Sequence, residues 1–119
     1  MHSIAVCDDR AYFDATIARI TAEAVALDEA LDPNARPLVH DAFKGPAYGL
    51  ASAEQLSFIV EVARKTGLLF DPVYTGKALF GLKALDPKPA RALFLHTGGL
   101  PGLLAQSDVL APLIAATRR

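Results

Sequence analysis

Short apolar runs alternate with segments of helical spacing along this chain, and that alternation limits its fold more than any other feature. Ile4 and Val6 lie in a run over 2–6 that predicts a strand. Cys7-Asp8-Asp9 reads as a turn, and Asp8 or Asp9 suits a helix cap, because a short carboxylate accepts the free N–H groups of a first turn. Phe13, Ile17, Ile20, Ala24 and Leu27 then recur in steps of four and three, one face of a helix. Asp32-Pro33-Asn34 ends it, and 37–40 is a second short strand. Ser52 and Gln55 form a capping box for a helix carrying Leu56, Ile59, Val60 and Ala63, which Gly67 stops. Leu68-Leu69-Phe70 is short and apolar, and Asp71-Pro72 breaks it. Ala78, Leu79, Leu82 and Leu85 mark another helix, and Asp86-Pro87-Lys88-Pro89 a surface loop. Ala90 to Leu95 predicts a buried strand, Leu100 to Ala105 a short helix, and Val109 to Thr117 a weaker helix interrupted at Pro112. Strands alternating with helices predict an α/β fold with a mostly parallel sheet flanked by helices.

With 119 residues the chain suits one domain, spanning 1–119. Lys plus Arg is 12 and Asp plus Glu is 13. A net charge of −1 argues against nucleic-acid binding and against a polybasic membrane-surface module. One Cys excludes an internal disulfide framework and a Cys-cluster metal site, and a lone thiol fits a cytoplasmic setting. Asp8-Asp9 follows the start too closely for a signal segment. The longest stretch without Asp, Glu, Lys or Arg, 92–107, falls short of the roughly 20 apolar residues of a membrane span, so no membrane partner is expected. Hydrophobic residues make up 52% of the chain. The mean hydropathy of +0.28 is high for a small soluble monomer. Such a chain either buries surface against a partner or is a piece of something larger.

Three strings use glycine and polar residues where a plain fold does not need them: Gly45 to Gly49, Asp71 to Lys77, and Leu95 to Gly99. In the third a strand ends, two glycines turn the chain and a helix begins. That is the carboxyl edge of a strand, where α/β sheets bind ligands. Thr97 puts a hydroxyl there. Plain readings stand beside these. Gly98-Gly99 also serves as a simple turn, His96 as a structural histidine, Tyr48 as a loop aromatic, Tyr74 as packing and Lys77 as a solvated helix residue. Cys7 reads as a small packed hydrophobe, and two carboxylates at 8–9 do not make a metal site. No P-loop, GxSxG, HExxH or CxxC motif occurs.

Taken in order, Gly-Pro-x-Tyr-Gly, Asp-Pro-Val-Tyr-Thr-Gly-Lys-Ala and Leu-His-Thr-Gly-Gly-Leu-Pro resemble the pyridoxal-phosphate-dependent D-cysteine desulfhydrase and 1-aminocyclopropane-1-carboxylate deaminase family. Ile4-Ala5-Val6-Cys7-Asp8-Asp9 resembles the family's upstream segment, and the likeness runs over roughly residues 2 to 106. It implies the C-terminal part of a fold type II enzyme, similar to the tryptophan-synthase β-subunit, in which two α/β domains clasp the cofactor. It implies that Tyr74 and Tyr48 face the substrate as catalytic groups. It also implies that Thr75 and Thr97, with Gly98 and Gly99, lie at the cofactor, the two threonines near its ring nitrogen.

The resemblance distinguishes subfamilies at two positions. Deaminases carry Glu after the tyrosine and Leu before Gly-Gly, whereas desulfhydrase-like members carry small hydroxyl residues, as Thr75 and Thr97 do. The implied reaction is α,β-elimination from a D-amino acid such as D-cysteine, giving pyruvate, ammonia and sulfide. The alternatives are the deaminase activity and a non-catalytic α/β binding or oligomerising module. One departure is large. Nothing in the 119 residues matches the family's Schiff-base lysine segment or its phosphate-cradling loop, and Lys77 lies in a different context. The chain is therefore expected to be a fragment, inactive alone, working beside an N-terminal partner chain or in a homo-oligomer.

Overall fold

The computed structural model describes residues 1–86 and 91–116. Strand β1 (His2–Ile4) leads into α1 (Arg10–Leu27) and returns to β2 (Leu38–His40). The strands pair in parallel, with Ser3 opposite Val39. A parallel pair needs such a crossover, which the helix supplies. The pair is extended at its ends by Leu38 N–H to Met1 O at 2.9 Å and Ala5 N–H to His40 O at 2.8 Å. His2 and His40 stack, with centroids 5.1 Å apart, and their ring nitrogens hydrogen-bond at 2.9 Å.

Asp9 caps α1 by accepting from Tyr12 N–H at 2.9 Å. Yet α1 buries no residue, and Leu27 is 91% exposed. Its apolar face is only half covered, at Phe13, Ile17 and Ala24. The radius of gyration is 16.4 Å. A compact chain of 119 residues has about 13.5 Å.

The core lies elsewhere. Helix α2 (Ala53–Thr66) opens on the Ser52–Gln55 capping box and closes at Gly67, as its sequence predicts. Leu56, Ile59 and Val60 pack on Phe70 and on Leu110 of α5 (Ser107–Ala116). Arg64 donates to Ile114 O at 2.6 Å and fastens α2 to the end of α5. Helix α3 (Thr75–Leu85) lies against β1 and α2, and α4 (Leu100–Ala105) precedes α5.

Several expectations need correction. The sheet has two strands among the described residues. Residues 91–95 form no strand, because a cavity separates them from β1 and they pair with no other strand, and Leu93 is 88% exposed. Ala90 and the 87–89 part of the proposed loop lie outside the described residues. Helix α5 begins at Ser107 and runs through Pro112, which sits on an exposed side where solvent meets the carbonyl it leaves unpaired. Thr117 also lies outside the described residues. Cys7 is half-buried, and its thiol donates to Asp8 Oδ2 at 3.1 Å.

Candidate functional site

The Tyr48 loop is a tight turn. Leu50 N–H donates to Ala47 O at 3.2 Å, which leaves Tyr48 and Gly49 at its two central positions. Gly49 has φ +75°, which a side chain at the second central position of a type II turn resists. Tyr48 is thereby held out at the tip.

Tyr74 is set by a different device. The Asp71 carboxylate is 2% exposed and gathers the start of α3. One oxygen accepts from Val73 N–H at 2.8 Å and Tyr74 N–H at 2.7 Å. The other accepts from Thr75 N–H at 2.8 Å and the Thr75 hydroxyl at 2.6 Å. These are the donors that a helix start leaves without partners. The turn delivers Tyr74 to Tyr48, and the two hydroxyls hydrogen-bond to each other. Their rings meet edge to face, centroids 6.1 Å apart. The Tyr48 hydrogen bond holds the Tyr74 phenol above its ordinary value, with help from burial and from Tyr48, Asp71 and Cys7 nearby.

Thr75 is 2% exposed. Its hydroxyl also accepts from Asp71 N–H at 3.2 Å and lies 3.5 Å from Gly98 O. The 95–99 string folds back onto the same carboxylate. His96 lies on the Phe70 ring at 4.9 Å. Its Nε2–H donates to Leu69 O at 2.8 Å, and Nδ1 accepts from Gly98 N–H at 3.2 Å. Gly99 has φ +103°, and a Cβ there would run into the Asp71 carboxylate. Thr97 is exposed. A cavity of about 620 Å³ brings Tyr74, Thr75 and Thr97 together, between β1 on one side and residues 91–95 on the other, over α3. Tyr48 is not among its lining residues and reaches it through Tyr74. A second cavity, about 460 Å³, is lined mostly by apolar side chains of α2, α4 and α5 with Leu69 and Phe70, and holds none of these residues.

Two buried groups escaped the sequence reading. Asp71 read as a strand breaker, although an Asp a few residues ahead of a helix is itself a capping signal. Lys77 read as solvated, yet it is 0% exposed. Its ammonium donates to Lys44 O at 2.5 Å, Ala47 O at 3.1 Å and Val6 O at 3.3 Å. Three carbonyls match its three N–H bonds. No carboxylate pairs with it among the described residues, and burial lowers its pKa. Nothing in local sequence marks this, because the carbonyls come from three distant positions. Among the described residues no three His, Cys, Asp or Glu gather to hold a metal, and no helix is long and apolar enough to cross a membrane.

No protein-family model matches the chain. It is 38% identical over 122 residues to the bifunctional D-cysteine desulfhydrase/1-aminocyclopropane-1-carboxylate deaminase, mitochondrial, of Arabidopsis thaliana, covering 96% of this chain and 29% of that protein. It is 43% identical over 81 residues to a D-cysteine desulfhydrase of Yersinia pestis, covering 62% of this chain and 24% of that protein. It is 43% identical over 70 residues to a putative 1-aminocyclopropane-1-carboxylate deaminase of Thermotoga maritima, covering 58% of this chain and 22% of that protein. The chain thus spans between a fifth and a third of the length of these relatives. Over 96% of its length the chain is thus similar to a part of a D-cysteine desulfhydrase/1-aminocyclopropane-1-carboxylate deaminase, consistent with the C-terminal part of that family.

Proposed function

We propose that residues 1–119 are the C-terminal, substrate-facing part of a pyridoxal-phosphate-dependent lyase of fold type II that eliminates from a D-amino acid such as D-cysteine. The Tyr48–Tyr74 hydroxyl pair beside the Thr97 cavity carries this reading. Two phenols in contact can bind a substrate's polar group and pass a proton along one hydrogen bond, and reach is the first requirement for that role. Tyr74 stays protonated to higher pH than an ordinary tyrosine, so it suits donation and positioning.

The residues present fit one end of the cofactor. Thr97 offers a neutral hydroxyl in the cavity, suited to a ring nitrogen, and Thr75 lies behind it against Asp71. When bound, the cofactor supplies an electron sink for the bond-breaking at the substrate's α-carbon. The other end does not fit this chain. Lys77 has all three N–H bonds on carbonyls, so it is not free for a covalent link. The Gly98 N–H is taken by His96, which argues against a phosphate cradle there. A further part, outside residues 1–119, has to bring the lysine and the cradle. The open side of β1, the strandless 91–95 segment and the exposed Leu93 and Leu95 support such a completing part.

Thr75 and Thr97 favour elimination over the deaminase reaction, for which the family likeness implies Glu and Leu at these positions. The test is reconstitution. This chain is co-expressed with the part of the Arabidopsis relative that precedes the matched region, and sulfide release from D-cysteine is measured. Turnover with cofactor absorbance is expected. Thr97→Leu should then depress turnover far more than folding. No turnover and no absorbance in a complex that forms would overturn the reading and favour a non-catalytic binding module.

A further inference from the structure

The Tyr48 loop is gripped by its main-chain carbonyls rather than by its side chains. Lys77 holds Lys44 O and Ala47 O, and Gln106, between α4 and α5, donates to Gly49 O at 3.0 Å. Ala47 O is also the carbonyl that closes the Tyr48 turn, through Leu50 N–H. One atom therefore both makes the turn and fastens it to α3, the helix that Tyr74 heads. The third carbonyl on Lys77, Val6 O, anchors the same ammonium to the chain just after β1.

We infer that Lys77, with Gln106 on the other side of the turn, is the positioning residue that fixes Tyr48 against Tyr74. This rests on reading those two hydroxyls as the substrate-facing pair. The ammonium acts as a built-in monovalent cation: carbonyl dipoles converge on it in a site closed to solvent. A neutral side chain of the same length takes the ammonium from Lys44 O and Val6 O and leaves Ala47 O with Leu50 N–H alone, so the turn loses its fastening to α3. Gln106 works by direct amide-to-carbonyl contact and carries less of the load, being half-buried. Neither residue touches the tyrosine hydroxyls, so both act through the backbone.

The sequence has three tyrosines, so the 119-residue chain carrying Tyr12→Phe leaves Tyr48 and Tyr74 as the titrating phenols. Phenolate absorbance is followed against pH, with helical circular dichroism as the control for folding. Tyr48→Phe sets the reference, a Tyr74 phenol without its partner. In Lys77→Met the raised phenol is expected to come down most of the way to that reference. Losing a nearby positive charge by itself drives a phenol upward, so a downward shift reports the broken Tyr48 hydrogen bond. Gln106→Ala is expected to give a smaller shift of the same sign. A folded Lys77→Met chain with an unchanged titration overturns the inference. If Lys77→Met does not fold, Gln106→Ala decides alone: a lowered phenol supports the inference and an unchanged one overturns it. No substrate or cofactor enters the measurement, so its outcome is separate from that of D-cysteine turnover.

Discussion

Thr75 donates twice to one oxygen of Asp71, through its N–H at 2.8 Å and its hydroxyl at 2.6 Å. The second Asp71 oxygen serves Val73 and Tyr74, so four donors converge on one buried carboxylate. Asp71→Ala strands them, the two from Thr75 in a buried site and those of Val73 and Tyr74 in a part-buried one. A single buried unsatisfied donor costs about 1–3 kcal/mol. We expect Asp71→Ala to lose on the order of 3 kcal/mol, measured by urea unfolding. Thr75→Val removes one donor and should lose about 1 kcal/mol. Equal losses in the two variants would mean that the carboxylate does not organise the turn.

Gly98 and Gly99 separate backbone strain from close approach. Gly98 has φ +98° and open space where a Cβ would go. Gly99 has φ +103° and the Asp71 carboxylate in that place. Gly98→Ala should cost roughly 1 kcal/mol, from the backbone alone. Gly99→Ala should cost about 3 kcal/mol, because the displaced carboxylate releases the start of α3 as well. Thermal unfolding of the two variants side by side checks the difference.

Alkaline stability carries the sign of Tyr74. Its folded pKa is raised, so its contribution is full below the ordinary tyrosine value of about 10 and is lost as pH climbs through the raised value. Lys77 runs the other way. Its folded pKa is lowered, so stability is gained as pH rises from that lowered value to the ordinary lysine one. Subtracting the unfolding curve of Tyr48→Phe from that of the parent isolates the first effect. The difference should shrink through this window.

On the acid side His40 is the group to watch. Burial lowers its pKa, and the neighbouring His2 and Arg10 charges lower it further. Its contribution is present above the unfolded histidine value of about 6.5 and is lost as pH falls through the lowered one. His2→Asn removes one repelling ring and should move that acid loss to a different pH, read from urea midpoints between about pH 7 and pH 5.

Local signals carried the helices. Ser52 with Gln55, the Asp8-Asp9 pair, and Gly67 each act over a few residues, so the predicted caps appear where they should, with Asp9 the one that caps α1. The strand at 91–95 failed for the opposite reason. Its apolar run is strand-like, but a strand exists only when paired, and this run faces β1 across a cavity without pairing to it. The site divides in the same way. Tyr48, Tyr74, Thr75 and Thr97 stand in motifs that can be read along the chain. Family likeness implies only that each tyrosine faces the substrate, and their contact with each other comes from the fold. Lys77 was hidden because its three acceptors lie 33, 30 and 71 residues away, and no window of sequence holds them together.

The open flank of β1 has a consequence for handling the chain. An uncovered strand edge beside a run with Leu93 and Leu95 in solvent can pair with another copy, although β1 is only three residues long. Natural sheets blunt such edges with charge, proline or cover, and no charged side chain interrupts 92–95. Edge-to-edge pairing is therefore expected to compete with the isolated chain's solution life. That competition steepens with protein concentration, and a segment seated along the edge would suppress it.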